Sequence, residues 1–255
     1  AAEAVKALAL SPSPTALVLV DQISRKFKYY QVKSAAAQAL DYAAQQLGLT
    51  RDEMEDRIVP SLGFDEQMER IFDYGKRQFK VVLTPALSLE VYDEKGKQLK
   101  NMPTPGKTDD ADQAKAANDA WKLLKKQLKT VVTNQKLRLE QALITDRHWS
   151  TAQWKELYVK NPVMRQFATG LIWGVYEDKK LSETFRYMED GTFNTVDEEE
   201  YTLPENGSIG LVHVVELSEE VLSAWKEQLS DYEISQPIEQ LDRAVYHLTQ
   251  EEREA

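Results

Sequence analysis

Apolar positions in the first 64 residues recur at helical spacing. Leu17, Val20, Ile23 and Phe27 fall on one face and predict a helix over residues 16–27, after punctuation by Pro12 and Pro14. A second stripe, Val32, Ala36, Ala39, Leu40, Ala43, Ala44 and Leu47, predicts a helix over 31–47 with a mostly alanine face. Small side chains let neighbouring helices approach closely, as stacked helical repeats require. Gly48 stands where a helix-ending glycine belongs. Thr50 and Glu53 then form a capping-box pair opening a short helix over 51–58, closed by Pro60 and Gly63.

Near residue 69 the period changes from helical to alternating. Phe72, Tyr74, Phe79, Val81 and Leu83, then Leu87, Leu89 and Val91, predict short strands. Gly75-Lys76 and Asp93 to Gly96 supply the turns, and Leu99 belongs to a fourth strand. Residues 101–107 are a Pro-rich connector. From 108 to 144 there is no Pro or Gly, and Ala114, Ala117, Trp121, Leu124, Leu128 and Val131 step by three and four. This predicts one long helix capped by Thr108, weakest at the β-branched run Thr130 to Thr133. Ser150 with Gln153 predicts another capping box, with Trp149 and Trp154 as its hydrophobic staple, and Asn161-Pro162 opens a further helix. Strands are expected over 171–177, 182–188, 192–196, 209–215 and 244–248, with a helix over 218–229. The expected fold is therefore α+β, in four segments: a helical, repeat-like segment (1–64), a β meander and connector (65–107), a long helix and helical hairpin (108–170), and an α+β lobe (171–255).

Charge sharpens this division. The formal net charge is −10, yet residues 108–170 hold eleven bases against seven acids. Residues 171–255 hold six bases against twenty-one acids, a net −15. The acidic lobe disfavours nucleic acid and anionic membrane surfaces, whereas Lys122, Lys125, Lys126 and Lys129 share one face of the long helix and could meet an acidic partner, nucleic acid or the chain's own acidic lobe. The plainer reading of those lysines is a solvated helix face.

The absence of cysteine removes disulfides, thiolate metal sites and cysteine nucleophiles. No apolar run approaches a membrane span or a secretory signal core. Gly106-Lys107-Thr108 before a helix imitates the end of a phosphate-binding loop. The glycine needed five residues earlier is Asn101, and Pro103 and Pro105 lack the N–H groups that would cradle phosphate. Trp173-Gly174 resembles the start of a tryptophan-glycine-arginine motif, but Val175 replaces the arginine. His148, His213 and His247 are not spaced as a metal set, and no Gly-x-Ser-x-Gly elbow occurs. His213, in an apolar stretch, is read as bonded to backbone, with a general base as the alternative. No cofactor is expected.

Several motifs together resemble the C-terminal domain of unknown function of bacterial molybdate-metabolism-regulator-like (MolR-like) proteins. They include Leu47-Gly48-Leu49-Thr50, Phe72-Asp73-Tyr74-Gly75, Arg147-His148-Trp149, Leu171-Ile172-Trp173-Gly174-Val175, Phe185-Arg186, Glu189-Asp190-Gly191-Thr192, and Asp231-Tyr232-Glu233-Ile234 with Gln236-Pro237. The resemblance runs from about Leu47 to Glu252. It implies a piece of a large protein, with helical repeats and a tryptophan-glycine-arginine domain upstream, in agreement with a start at Ala1. It also implies partners such as a MoxR-type ATPase or a von Willebrand A protein. Asn161 stands where the group has histidine and Val214 where it has proline, so no histidine role carries over.

The resulting expectation is a cytoplasmic, regulatory interaction module that binds proteins and does not catalyse. One alternative is an enzyme with a pocket around Arg147, Trp149, Trp173 and Arg186, drawing on His148, His213 and Tyr232. The other is nucleic-acid contact through the basic helix.

Overall fold

The computed structural model describes residues 2–11 and 14–245. The chain divides into two compact units, residues 1–61 and 62–255. The first is helical: α1 (Ala2–Ala9), α2 (Pro14–Lys26), α3 (Tyr30–Gln46) and α4 (Arg51–Arg57). The alanine stripe is buried as its spacing predicts. Ala36, Ala39, Ala43 and Ala44 of α3 meet Val5, Leu17, Val20 and Met54 in one cluster. Leu47 leaves the stripe and is exposed, because α3 has already ended at Gln46. Gly48 takes φ +65°, and the amides of Gly48 and Leu49 donate to the carbonyls of Gln45 and Ala44. The Thr50–Glu53 capping box forms in both directions, at 3.2 and 2.8 Å.

The second unit holds two antiparallel sheets. β1 (Glu69–Asp73), β2 (Gln78–Leu83), β3 (Leu89–Tyr92) and β4 (Gln98–Leu99) form the expected meander in chain order. Phe72 pairs with Phe79 and Val81 with Val91, so these buried side chains share one face. Leu87, expected in a strand, instead occupies a turn at φ +57°.

α5 (Ala111–Ile144) packs on β1 through this face, with Trp121 edge-on to Phe72 at 5.9 Å. Its 34 residues run unbroken, a length of ~51 Å. The cap is Asp110, not Thr108: its carboxylate accepts from the Asp112 and Gln113 amides at 3.1 and 2.9 Å. The β-branched run does not break the helix. Thr130 and Thr133 donate their hydroxyls to the carbonyls of Lys126 and Lys129 one turn back, so both side chains bond within the helix, sharing acceptors with its amides.

β5 (His148–Ser150), a strand the sequence reading missed, follows. It leads into α6 (Thr151–Trp154), a π-helical turn over Lys155–Val159, and α7 (Pro162–Ala168). β6 (Ile172–Glu177), β7 (Lys180–Tyr187), β8 (Phe193–Asn194) and β9 (Ser208–Leu211) complete a sheet of order β5-β9-β6-β7-β8. The Ser150–Gln153 capping box is present. The Trp149 and Trp154 rings each pack edge-on against Trp173, at 6.1 and 5.2 Å. The strand expected over 209–215 stops at Leu211, and a 3-10 turn over Val214–Glu216 precedes α8 (Glu219–Asp231). Of the strand expected over 244–248, Ala244 and Val245 are irregular, and the remainder, with His247, lies outside the described residues.

The five-stranded sheet has two unlike faces. One is filled by rings, with Trp154 contacting Trp173, Phe185, Tyr187 and Phe193. The other carries Ile172 and Val212 against Trp225 and Leu229 of α8. The molecule is thus α+β. Among the described residues no helix is long and apolar enough to cross a membrane.

Candidate functional site

A sheet twists and a straight helix does not, so contact made along one strand is lost farther across. α5 meets the meander at β1, and toward β3 the two diverge. The gap is an open cleft of about 490 Å³. Leu87, Leu89 and Val91 line it from the meander, and Trp121, Leu128 and Val132 from the helix. Its polar residues are Lys100 and Asn101 on one side, and Lys125, Lys129 and Thr133 on the other. Lys125 Nζ lies 5.2 Å from the centre of the Trp121 ring, a cation–π contact. Lys100, Lys125 and Lys129 are exposed and make no ion pair with any acid among the described residues.

The lining contains no carboxylate and no histidine, and the Thr133 hydroxyl is already spent on the Lys129 carbonyl. The cleft thus holds no carboxylate–histidine pair. The arrangement can bind: an apolar floor releases water to apolar groups, and a cationic rim attracts negative charge. The contrast is a smaller cavity of about 210 Å³ among α2, α3 and α4, where Arg51 pairs with both Asp41 and Glu55. In the second unit, ahead of α5, the Arg77 guanidinium holds Asp109 at 2.6 Å and keeps its carboxyl below the usual range. The Gly106 amide donates to the same carboxylate at 2.7 Å, which commits the loop that imitates a phosphate cradle.

The residues of the expected pocket do not form one cavity. Trp173 pairs with Phe185 and Ile172 with Arg186, so Trp173 and Arg186 face opposite sides of the sheet. Trp173 is buried among rings, its indole N–H donating to the Ala168 carbonyl at 3.0 Å. Trp149 packs against it, and the Arg147 guanidinium lies 4.8 Å from the Trp149 ring centre. On the other face Arg186 meets Tyr232, 4.4 Å from the ring centre. Its Nε and Nη2 reach the Met188 sulfur, a weak acceptor, and Nη1 has no protein partner. Burial lowers the Arg186 pKa from its ordinary value. His213 caps the 3-10 turn, its Nδ1 accepting from the Val215 amide at 3.3 Å, the backbone role expected of it.

His148 shows an arrangement that the sequence reading missed. Its Nε2 lies 2.9 Å from Asp146 Oδ1 and its Nδ1 3.1 Å from Ser208 Oγ. The ring stacks on Tyr176 at 4.1 Å. The order Ser–His–Asp imitates a hydrolytic triad, but the orienting acid of a triad is buried and Asp146 is 72% exposed. Ser208 lies in β9, paired on both sides, not on a strained turn that presents its hydroxyl. Tyr176 donates to Glu216 at 2.9 Å, and burial with that carboxylate pushes its phenol well above the ordinary value. Gly210 is required here: a Cβ would stand 2.5 Å from His148 Cδ2. The nearest sequence signal was the isolated glycine within an apolar strand pattern.

Of the basic face, Lys125 and Lys129 border the cleft, whereas Lys122 pairs with Asp119 on its own helix and Lys126 stands exposed outside the lining. No lysine of the four pairs with the acidic lobe among the described residues.

Residues 96–255 match the family described as a domain of unknown function, DUF4132. The chain belongs to the DUF4132 family. It is also 36% identical over 248 residues to the uncharacterised protein YehI of Escherichia coli strain K12. That alignment takes in 96% of this chain and 20% of the relative, so the chain spans about a fifth of that protein's length. No solved structure matches the chain. The DUF4132 match takes in Lys100 and the helical wall of the cleft, while Leu87, Leu89 and Val91 precede it.

Proposed function

We propose that this DUF4132 chain is a protein-binding module of a larger, cytoplasmic regulatory protein. The supporting observation is the open cleft between the meander and α5, with an apolar floor and a lysine rim. The motif resemblance adds two finer proposals. The parent protein belongs to the MolR-like group, and its partner is a MoxR-type ATPase or a von Willebrand A protein.

The test is a photo-cross-linking side chain at Thr133, exposed at the cleft edge, in the full-length parent inside cells. The expected result is a cross-link to another protein that disappears in the double variant Lys125→Glu/Lys129→Glu. Absence of any cross-linked protein, or a cross-link indifferent to the charge reversal, overturns the reading.

A further inference from the structure

We infer that the occupant of the cleft is an acidic, amphipathic polypeptide segment, with apolar side chains on the floor and carboxylates on the lysine rim. This rests on the binding reading of the same cleft. Three observations set the chemistry. First, the cation is on both walls: Lys100 comes from the end of the meander, and Lys125 and Lys129 from the helix. A ligand lying between them meets positive charge from two directions, and no acid among the described residues neutralises it. Second, the positive charge is linear. Lys125, Lys126 and Lys129, with Lys122 beyond them on the ion pair to Asp119, follow α5 over eight residues, ~10 Å at helical rise. An acyl chain or a phospholipid concentrates its charge at one end, whereas carboxylates spaced along a peptide match a row.

Third, the floor is aliphatic. Leu89, Val91, Leu128 and Val132 present methyl groups, and Trp121, the single ring of the lining, is buried beneath Lys125. Single-stranded nucleic acid, the other linear polyanion, is held on open aromatic platforms. Lysine suits a mobile set of carboxylates: it is a point charge on a flexible stem, without the planar fork with which arginine clamps a phosphate.

The test uses the full 255-residue chain and fluorescence anisotropy of a labelled synthetic helix. Leucine and phenylalanine form one face of this helix and glutamate the other. A second peptide has every glutamate replaced by glutamine. The glutamate peptide is expected to saturate the protein and to weaken as salt rises. Lys125→Glu/Lys129→Glu is expected to weaken it by about tenfold, since two exposed attractions become repulsions. The same variant is expected to gain affinity for a peptide carrying lysine in place of glutamate, a swap that general damage to the fold cannot produce. Val132→Glu, with folding checked by thermal melting, is expected to weaken both peptides through the floor.

Equal binding of the glutamine peptide overturns the inference, and so does preference for anionic phospholipid vesicles or a single-stranded oligonucleotide. If no acidic peptide binds yet the charge-sensitive cross-link from Thr133 persists, the acidic segment is wrong and the binding reading stands. If that cross-link is also missing, both fall.

Discussion

The two sheets of the second unit use side chains in opposite ways. The five-stranded sheet and the turn after β9 hold most of the residues that look chemical: His148, Trp149, Trp173, Tyr176, Arg186 and His213. Nearly all are consumed by structure. Trp173 donates to a backbone carbonyl, His213 caps a turn, and His148 fills the space left by Gly210. Buried Gln240 goes further. Its amide accepts from the Ile172 N–H and donates to the Ile172 and Val212 carbonyls, standing in for a strand that is not there. The four-stranded meander carries leucine, valine and lysine, yet beside it a cleft stays open with its charges unpaired. Density of reactive residue types marks a closely packed core here, and the available surface is built from bland ones.

The comparison breaks most visibly at Trp154, buried at the centre of the ring cluster. Trp154→Ala is expected to cost about 3–5 kcal/mol, read as a fall in denaturation midpoint. A loss under about 1 kcal/mol would mean that the aromatic face is loosely packed. Next comes Gly210→Ala, whose methyl enters the His148 ring and is expected to cost about 1–3 kcal/mol. The double variant Gly210→Ala/His148→Ala should recover part of that loss, because the obstruction is the ring itself.

The pH limits should also separate the two sheets. Asp109, beside the meander, titrates below its ordinary value of 3.8 when folded, so its contribution is present above that pH and is lost as pH falls. Asp109→Asn is expected to flatten the acid limb of a pH–stability profile. Tyr176, in the larger sheet, titrates above its ordinary value of 10.0. Its contribution is complete below that pH and declines as the unfolded phenol ionises above it; Tyr176→Phe should flatten the alkaline limb.

The smallest stability effect belongs to the cleft. Lys125→Glu/Lys129→Glu should change unfolding free energy by no more than about 0.5 kcal/mol per site while altering peptide binding. The last expectation is a null rate: a p-nitrophenyl ester should hydrolyse no faster with the protein than with Ser208→Ala. A turnover that depends on Ser208 would make the His148 arrangement catalytic and reverse the comparison.

Periodicity alone determined most of the elements. The alanine stripe of α3, the alternation of β1 to β3, the long stripe of α5 and both capping boxes are local patterns, fixed by side-chain spacing and the nearest amides. The errors were local contests that tertiary contact decided. Thr108 lost the cap to Asp110 while Arg77 held Asp109, and β9 stopped where His213 turned the chain. The candidate site was half legible. Lys125 and Lys129 were visible as a face, but not that Lys100, Leu89 and Val91 would stand opposite them. The expected pocket failed because strand parity is a property of pairing: only the register sets Trp173 and Arg186 on opposite faces. Sequence determines which side chains share a face of one element. Which faces meet, and where twist leaves them apart, is decided only when the elements pack.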